Sequence, residues 1–425
     1  MSTAPPTPLS RLEVHQNPCL PEGAQDVHAI ATVTVDAPAA AASSPAQVIV
    51  IDRSYSMSGD KIARAREAAV AAVDALRDGS RFAVIAGNGR AEQIYPLGPA
   101  ALAEATPTSR DAARGAILAL GPDGGTNLVP WLELASALLS TVGPGDVRHT
   151  TILTDGQGNL TDAVLRRCAG TFTCDCVGIG EDWSPEQLRR ITTALSGTRH
   201  FVEDLDDLPG FFRRQAEQTQ DRGMADLALV VKAPGQVRVR KVTQVYPTER
   251  ELTARDGGGG PVHVYPLGSW GSESRDYQLW FRVPPRQPGA EIRVAQVMLV
   301  SGEGQELARG RVLAQWTADL ALATAVDPKV EHYTGQLEQN GLIREGLAAL
   351  ETGQTREATA KLGRARELAV ESGRDDLVTA LERVVDQDPV TGTVRLRSRM
   401  SRADTLNLDV GTDRTTREMT PRRGE

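Results

Sequence analysis

The sequence predicts an α/β fold: a doubly wound, mostly parallel sheet accompanied by an antiparallel β-sandwich, a C-terminal helical segment and a disordered tail. Between residues 46 and 222, short apolar runs alternate with stretches of helical spacing, the pattern of a parallel sheet covered by helices. Between 223 and 317 strict apolar/polar alternation takes over, broken by turn-rich gaps. From 318 to 388 the period is helical, and from 389 to 425 no apolar period remains.

The first ten residues are Pro-rich and are expected to be disordered. Residues 11–45 hold N-terminal strand and linker. In VHAIATVTV, Val27, Ala29, Ala31, Val33 and Val35 share one face. The Ala, Ser and Pro residues of 36–45 then read as a linker. The strand stands apart from the sandwich in sequence and is expected to complete it, which makes the α/β domain an insertion.

Within 46–222, Val48–Ile51 is apolar throughout, as in a strand buried on both faces. Ile62, Ala65, Ala69, Val70 and Val73 set a helix over 60–76. Strands are expected at 81–86 and, on an edge, 92–97, and helices at 109–120 and 129–139. The next strand, 149–153, runs into Thr154-Asp155-Gly156. A short helix at 162–167, a strand at 172–179 and a helix at 184–195 follow, the last opened by Ser184-Pro185-Glu186-Gln187 with Ser at the N-cap. A strand at 200–202 and a helix at 208–220 close the domain.

The sandwich strands alternate clearly, as in Tyr277, Leu279, Phe281 and Val283. Gly257–Gly260 reads as a hairpin loop, since no Lys-Ser/Thr follows it. Further on, Gly346–Ala358 and Leu362–Ala369 predict two antiparallel helices joined at Thr352–Thr355, similar to a single tetratricopeptide-type hairpin. One hairpin is too few for a repeat array, so a helical appendage is expected. From Thr391 the tail carries eight Arg against five Asp plus Glu. Its Thr391, Thr393, Thr405, Thr412, Thr415, Thr416 and Thr420 make it a candidate target of a Ser/Thr kinase, read by a phosphopeptide-binding domain.

Composition excludes some classes. A net charge of −8 offers no footprint for nucleic acid. No apolar run approaches the ~20 residues of a membrane span, and the N-terminus lacks the basic and apolar regions of a signal peptide, so a cytoplasmic protein is expected. The four cysteines form no metal-type pair, and Cys174 and Cys176 read as small buried side chains.

The chemistry gathers at Gln47-Val-Ile-Val-Ile-Asp52-Arg-Ser54-Tyr-Ser56-Met-Ser-Gly59. Asp52, Ser54 and Ser56 are hard oxygen donors at a strand end, suited to Mg²⁺, Mn²⁺ or Ca²⁺. By themselves the same residues also suit a helix-capping turn. Ligands of doubly wound sheets sit at the carboxyl ends of the strands. Asp155 stands after a strand, and Thr126 stands in a loop that can reach the same edge. Catalysis finds less support: no acidic partner follows Asp52 at phosphotransfer spacing, no Lys or His is expected near the motifs, and no Walker or Gly-x-Ser-x-Gly motif occurs. No enzyme is expected, a metal-dependent hydrolase being the least favoured reading.

Asp-Arg-Ser-Tyr-Ser (52–56), Gly-Gly-Thr-Asn (124–127) and Leu-Thr-Asp-Gly (153–156) together resemble the von Willebrand factor A domain and its metal-ion-dependent adhesion site, over residues 46–220. The resemblance implies that Ser54 and Ser56 coordinate Mg²⁺ through their hydroxyls. Thr126 would bind directly or through water, and Asp52 and Asp155 would act mainly through water and hydroxyls. It also implies a protein partner that supplies an Asp or Glu carboxylate to the metal. A cytoplasmic bacterial scaffold or adaptor follows as the expected function, with a phospho-regulated adaptor working through the tail as the alternative.

Overall fold

The structure, a computed structural model, describes residues 9–36, 45–143, 145–202, 205–220, 222–255, 260–387 and 394–417. The chain opens with β1 (Leu9–His15), β2 (Cys19–Pro21) and β3 (Asp26–Asp36). Next come β4 (Ala46–Asp52), α1 (Asp60–Asp74), β5 (Arg81–Gly87), β6 (Ala91–Tyr95), β7 (Ala103–Glu104), α2 (Pro107–Leu118) and α3 (Leu128–Leu139). They are followed by β8 (Arg148–Thr154), α4 (Asp162–Cys168), β9 (Thr173–Ile179), α5 (Pro185–Ala194), β10 (Arg199–Val202) and α6 (Leu208–Gln220). Seven strands then run in succession: β11 (Met224–Lys232), β12 (Arg238–Tyr246), β13 (Arg250–Glu251), β14 (Val262–Trp270), β15 (Glu273–Arg282), β16 (Glu291–Val300) and β17 (Glu306–Thr317). The C-terminal part holds α7 (Leu320–Thr324), α8 (Pro328–Glu351), α9 (Thr355–Glu371), α10 (Asp375–Glu382), β18 (Val385–Gln387), β19 (Val394–Leu396) and α11 (Arg402–Gly411).

The central sheet has the order β10-β9-β8-β4-β5-β6, with β7 also pairing β5. Strands β10, β9, β8, β4 and β5 are parallel, while β6 and β7 run antiparallel to β5. Apolar residues of β4 serve both faces, which is why its run is uninterrupted. Val48 and Val50 pack with α3, α4 and α5, and Ile49 and Ile51 pack with α1, α2 and α6. Helix α2 begins two residues before the expected start. Thr106 is its N-cap, and Ser109 completes a capping box by accepting from the Thr106 N–H at 2.8 Å. Serine stands there in place of the usual Glu or Gln.

The sandwich joins sheets of order β1-β3-β15-β12-β13 and β14-β11-β16-β17-β2 around one apolar core. Strand β3 pairs with β15 along ten residues, from Asp26↔Arg282 to Val35↔Glu273. The central α/β unit therefore lies between two sequence-distant parts of the sandwich. In the helical part, α8 and α9 form an antiparallel hairpin that turns at Gly353, whose φ of +75° suits glycine. A Cβ on Gly346 would meet Leu362 Cγ at 2.7 Å, so the small residue lets the two helices close.

Two expectations of disorder are corrected. Residues 1–8 lie outside the described residues, but a strand already begins at Leu9 and pairs with β3. The tail from 389 is structured over 394–417. Helix α11 places Leu406 and Val410 in the core of the central domain. Thr415 N–H then donates to Pro247 O at 3.2 Å and Thr416 N–H to Gln336 Oε1 at 3.1 Å. Arg417 Nε donates to the buried Asp276 at 2.8 Å, and its guanidinium lies 4.3 Å from the Tyr246 ring centroid. The expectation failed because α11 is short and its apolar residues pack on other domains, so no long period marks it. Thr412 and Thr415 are buried. Thr391, Thr393 and Thr420 lie outside the described residues.

Candidate functional site

The site forms where the sheet changes direction. From β4 the chain moves outward to β5 on one side and later returns to β8 on the other, so the carboxyl ends of β4 and β8 flank the switch point. The register sets Ile51 beside Leu153, which brings Asp52 and Thr154 to the same edge.

A tight turn follows Asp52. Ser54 N–H donates to Asp52 Oδ1 at 2.8 Å, and Thr154 Oγ1 donates to Asp52 Oδ2 at 2.6 Å. Residues 55–57 form one 3₁₀ turn with Met57 buried beneath it. Gly59, at φ +80°, then redirects the chain into α1. Main-chain bonds tie the turn to the neighbouring loop: Tyr55 N–H to Gly124 O at 2.9 Å, and Asp123 N–H to Arg53 O at 2.6 Å. Tyr55 is 66% exposed at the rim of the site.

The structure links four of the five sequence-derived residues by hydrogen bonds. Ser54 Oγ and Ser56 Oγ are 3.0 Å apart, and Ser56 Oγ donates to Asp155 Oδ1 at 2.7 Å. Asp52 joins through the Ser54 N–H. Both carboxylates are fully buried. Burial pushes the Asp52 carboxyl up, and the hydrogen bonds from Thr154 and Ser54 only partly offset it.

Thr126 takes no part in those bonds. Its loop is held by Asn127, which caps α3 and receives the bridge to Asn159. Its placement is read from Gly156. A Cβ there would stand 2.9 Å from Thr126 Oγ1 and 3.5 Å from Asp52 Oδ2, so Thr126 and Asp52 converge on one point beside the Asp155 loop. Gly158 is equally tight, a Cβ meeting Thr126 Cγ2 at 2.9 Å. The two glycines, spaced two apart after Asp155, were the missed signal for this close packing.

Lys61 corrects the expectation that no lysine lies near the motifs. It stands in the first turn of α1, which starts at the same edge. Its Nζ donates to Asp155 Oδ2 at 2.6 Å and to Asp182 Oδ2 at 2.9 Å. His149 and His200 lie elsewhere, in a buried network around Asp175.

Hydroxyls and carboxylates that converge without nitrogen or sulfur ligands fit a hard divalent cation. Among the described residues, no group of three or more His, Cys, Asp or Glu side chains could hold a metal ion. Most of the oxygen groups gathered here are hydroxyls.

The sheet order, the helices on both faces and the Asp-x-Ser-x-Ser turn at the switch point define a Rossmann-like domain of von Willebrand A type. Residues 46–201 match the von Willebrand factor type A domain family, and residues 367–412 match the von Willebrand factor type A C-terminal domain family. A solved von Willebrand factor type A protein from Catenulispora acidiphila is 39% identical, with 97% of this chain and 98% of that one covered and a TM-score of 0.90. The chain belongs to the von Willebrand factor type A family, whose domain is generally a protein-interaction module. The ArnB paralog VWA2 from Sulfolobus acidocaldarius shares the fold at 16% identity and a TM-score of 0.58, over 96% of this chain and 98% of that one. An uncharacterized Synechocystis protein is 25% identical over 224 residues, and human inter-alpha-trypsin inhibitor heavy chain H4 is 33% identical over 178. These matches cover 49% and 37% of this chain, and half and 18% of the relatives' own lengths.

Proposed function

We propose that this protein is a divalent-cation-dependent protein-interaction module, a non-enzymatic scaffold of a cytoplasmic bacterial complex. The observation that carries the reading is the convergence of Thr126 and Asp52 on Gly156, beside the Asp52–Ser54–Ser56–Asp155 chain. Ser54, Ser56 and Thr126 present hydroxyls that would hold Mg²⁺ or Mn²⁺, with Asp52 and Asp155 behind them. A bound cation supplies Lewis acidity, and the neutral hydroxyls leave it electrophilic enough to accept a carboxylate from a partner. Asp52 fixes the Ser54 turn, Asp155 orients the Ser56 hydroxyl, and Tyr55 offers an exposed aromatic contact beside the site.

Lysate pull-downs with the purified full chain test this. A partner retained in Mg²⁺ should be lost in EDTA and on the Thr126→Ala variant. Capture that is equal in all three conditions would overturn the proposal. Fractionation tests the cytoplasmic setting. Among the described residues no helix is long and apolar enough to cross a membrane. The phosphothreonine alternative is weakened, because Thr412 and Thr415 are buried and the Thr416 main chain is docked on α8.

A further inference from the structure

Lys61 places a cation of the chain's own at the candidate metal site. Its Nζ lies between the fully buried Asp155 and Asp182, whose side chain is 74% exposed. The geometry is confined. Gly180 has φ +70°, and a Cβ there would stand 3.0 Å from Lys61 Cε and 3.5 Å from Nζ, so the lysine stem passes closely over a backbone that only glycine leaves open. Asp155 spends one oxygen on Ser56 and the other on Lys61. An ammonium and a divalent cation beside the same fully buried carboxylate repel each other, and that repulsion grows as water is excluded.

We propose that Lys61 is a tethered competitor for the metal site: it neutralises Asp155 while the site lacks a divalent cation, and it transfers to Asp182 when one arrives. This rests on the metal-dependent reading above. Lys61 thereby sets the cation concentration at which the site loads, and Asp182 lowers that concentration by holding the displaced ammonium. The arrangement resolves a difficulty of the donor set, because Asp52 and Asp155 would otherwise be two buried carboxylates close together without a balancing charge.

The two residues predict opposite effects, which a structural role would not produce. In calorimetric titrations of the full chain with MgCl₂ and MnCl₂, Lys61→Gln should bind tenfold or more tightly than wild type. Asp182→Asn, a change at an exposed side chain, should bind severalfold more weakly, and the double variant should behave like Lys61→Gln. Thermal melts without added metal check that each variant is folded. Unchanged affinity in both single variants, or weaker binding by Lys61→Gln, would overturn the inference and leave the metal reading intact. Absence of Mg²⁺ and Mn²⁺ binding in folded wild type and folded Lys61→Gln alike would overturn the metal reading and this inference with it.

Discussion

The Arg199 guanidinium is buried against Asp409, 210 residues further along the chain, and its Nε donates to Asp413 at 2.9 Å. Arg199 opens the edge strand β10, and Asp409 lies in α11. The pair, with Arg189 also on Asp409 at 2.6 Å, fastens the C-terminal helix to the central domain. From there residues 412–417 cross to the sandwich, where Arg417 reaches Asp276. One short segment therefore joins the domain that carries the site to the units around it.

Asp409→Asn should destabilise the chain by up to about 3 kcal/mol, the low end for breaking a buried ion pair, because Asp413 remains to face Arg199. Denaturant unfolding measures the loss, and hydrogen exchange should show it first as lost protection in α11. Burial pushes the Asp409 carboxyl up, but Arg199 and Arg189 together hold it below the ordinary range. A depressed carboxyl stabilises the fold above its unfolded value, so this contribution fades in acid below about pH 4.

His149 should make the fold sensitive to milder acid. Burial lowers its imidazole from 6.5 to about 4, with Asp175 opposing the shift. The unfolded chain takes up the proton first, so stability present above pH 6.5 is lost as pH falls towards 4. At about 1.36 kcal/mol per unit this amounts to ~3 kcal/mol. Urea midpoints of wild type and His149→Gln between pH 7 and 4 test it; parallel curves would remove His149 as the cause.

Thr126→Ala should leave the cation-free melting temperature nearly unchanged, since the hydroxyl takes no part in the bonds joining Asp52, Ser54, Ser56 and Asp155. On the proposed metal-dependent reading, wild type should gain stability with added Mg²⁺ by ligand mass action, and Thr126→Ala should lose most of that gain. A thermal shift series in MgCl₂ reads both quantities.

Gly346→Ala should cost about 1–3 kcal/mol, because the added methyl would stand 2.7 Å from Leu362 Cγ. The effect should appear as earlier melting of the α8–α9 hairpin, read as lost hydrogen-exchange protection in both helices.

In kinase reactions on the folded chain, Thr412 should remain unmodified. Its side chain is fully buried, and Oγ1 donates to Asp409 O at 2.7 Å. Phosphate found there at native temperature would mean that α11 detaches.

Local chemistry explains what could be read early. The β4 run is apolar because both of its faces are covered, and Asp52 breaks that run where the chain leaves the sheet. Capping at Ser184 and the Thr352–Thr355 turn follow from residues a few positions apart, and the helix boundaries there agree within a residue. The tail carries no local signal of its order because Leu406 and Val410 pack on α5 and the central sheet, and Arg417 on Asp276, all contacts at long range. Lys61 is close in sequence to the Asp52 turn, but its aim at Asp155 depends on where β8 ends.

The sequence by itself determined the class of fold and singled out five oxygen-bearing side chains, because strand ends, hydroxyl spacing and helix caps are local properties. Only the tertiary structure decided which groups meet at the switch point. The β4–β8 register brings Thr154 onto Asp52. The glycines after Asp155 let Thr126 approach, and α1 turns back to set Lys61 between Asp155 and Asp182. Such meetings depend on the geometry of residues far apart in the chain, and no short-range pattern records them.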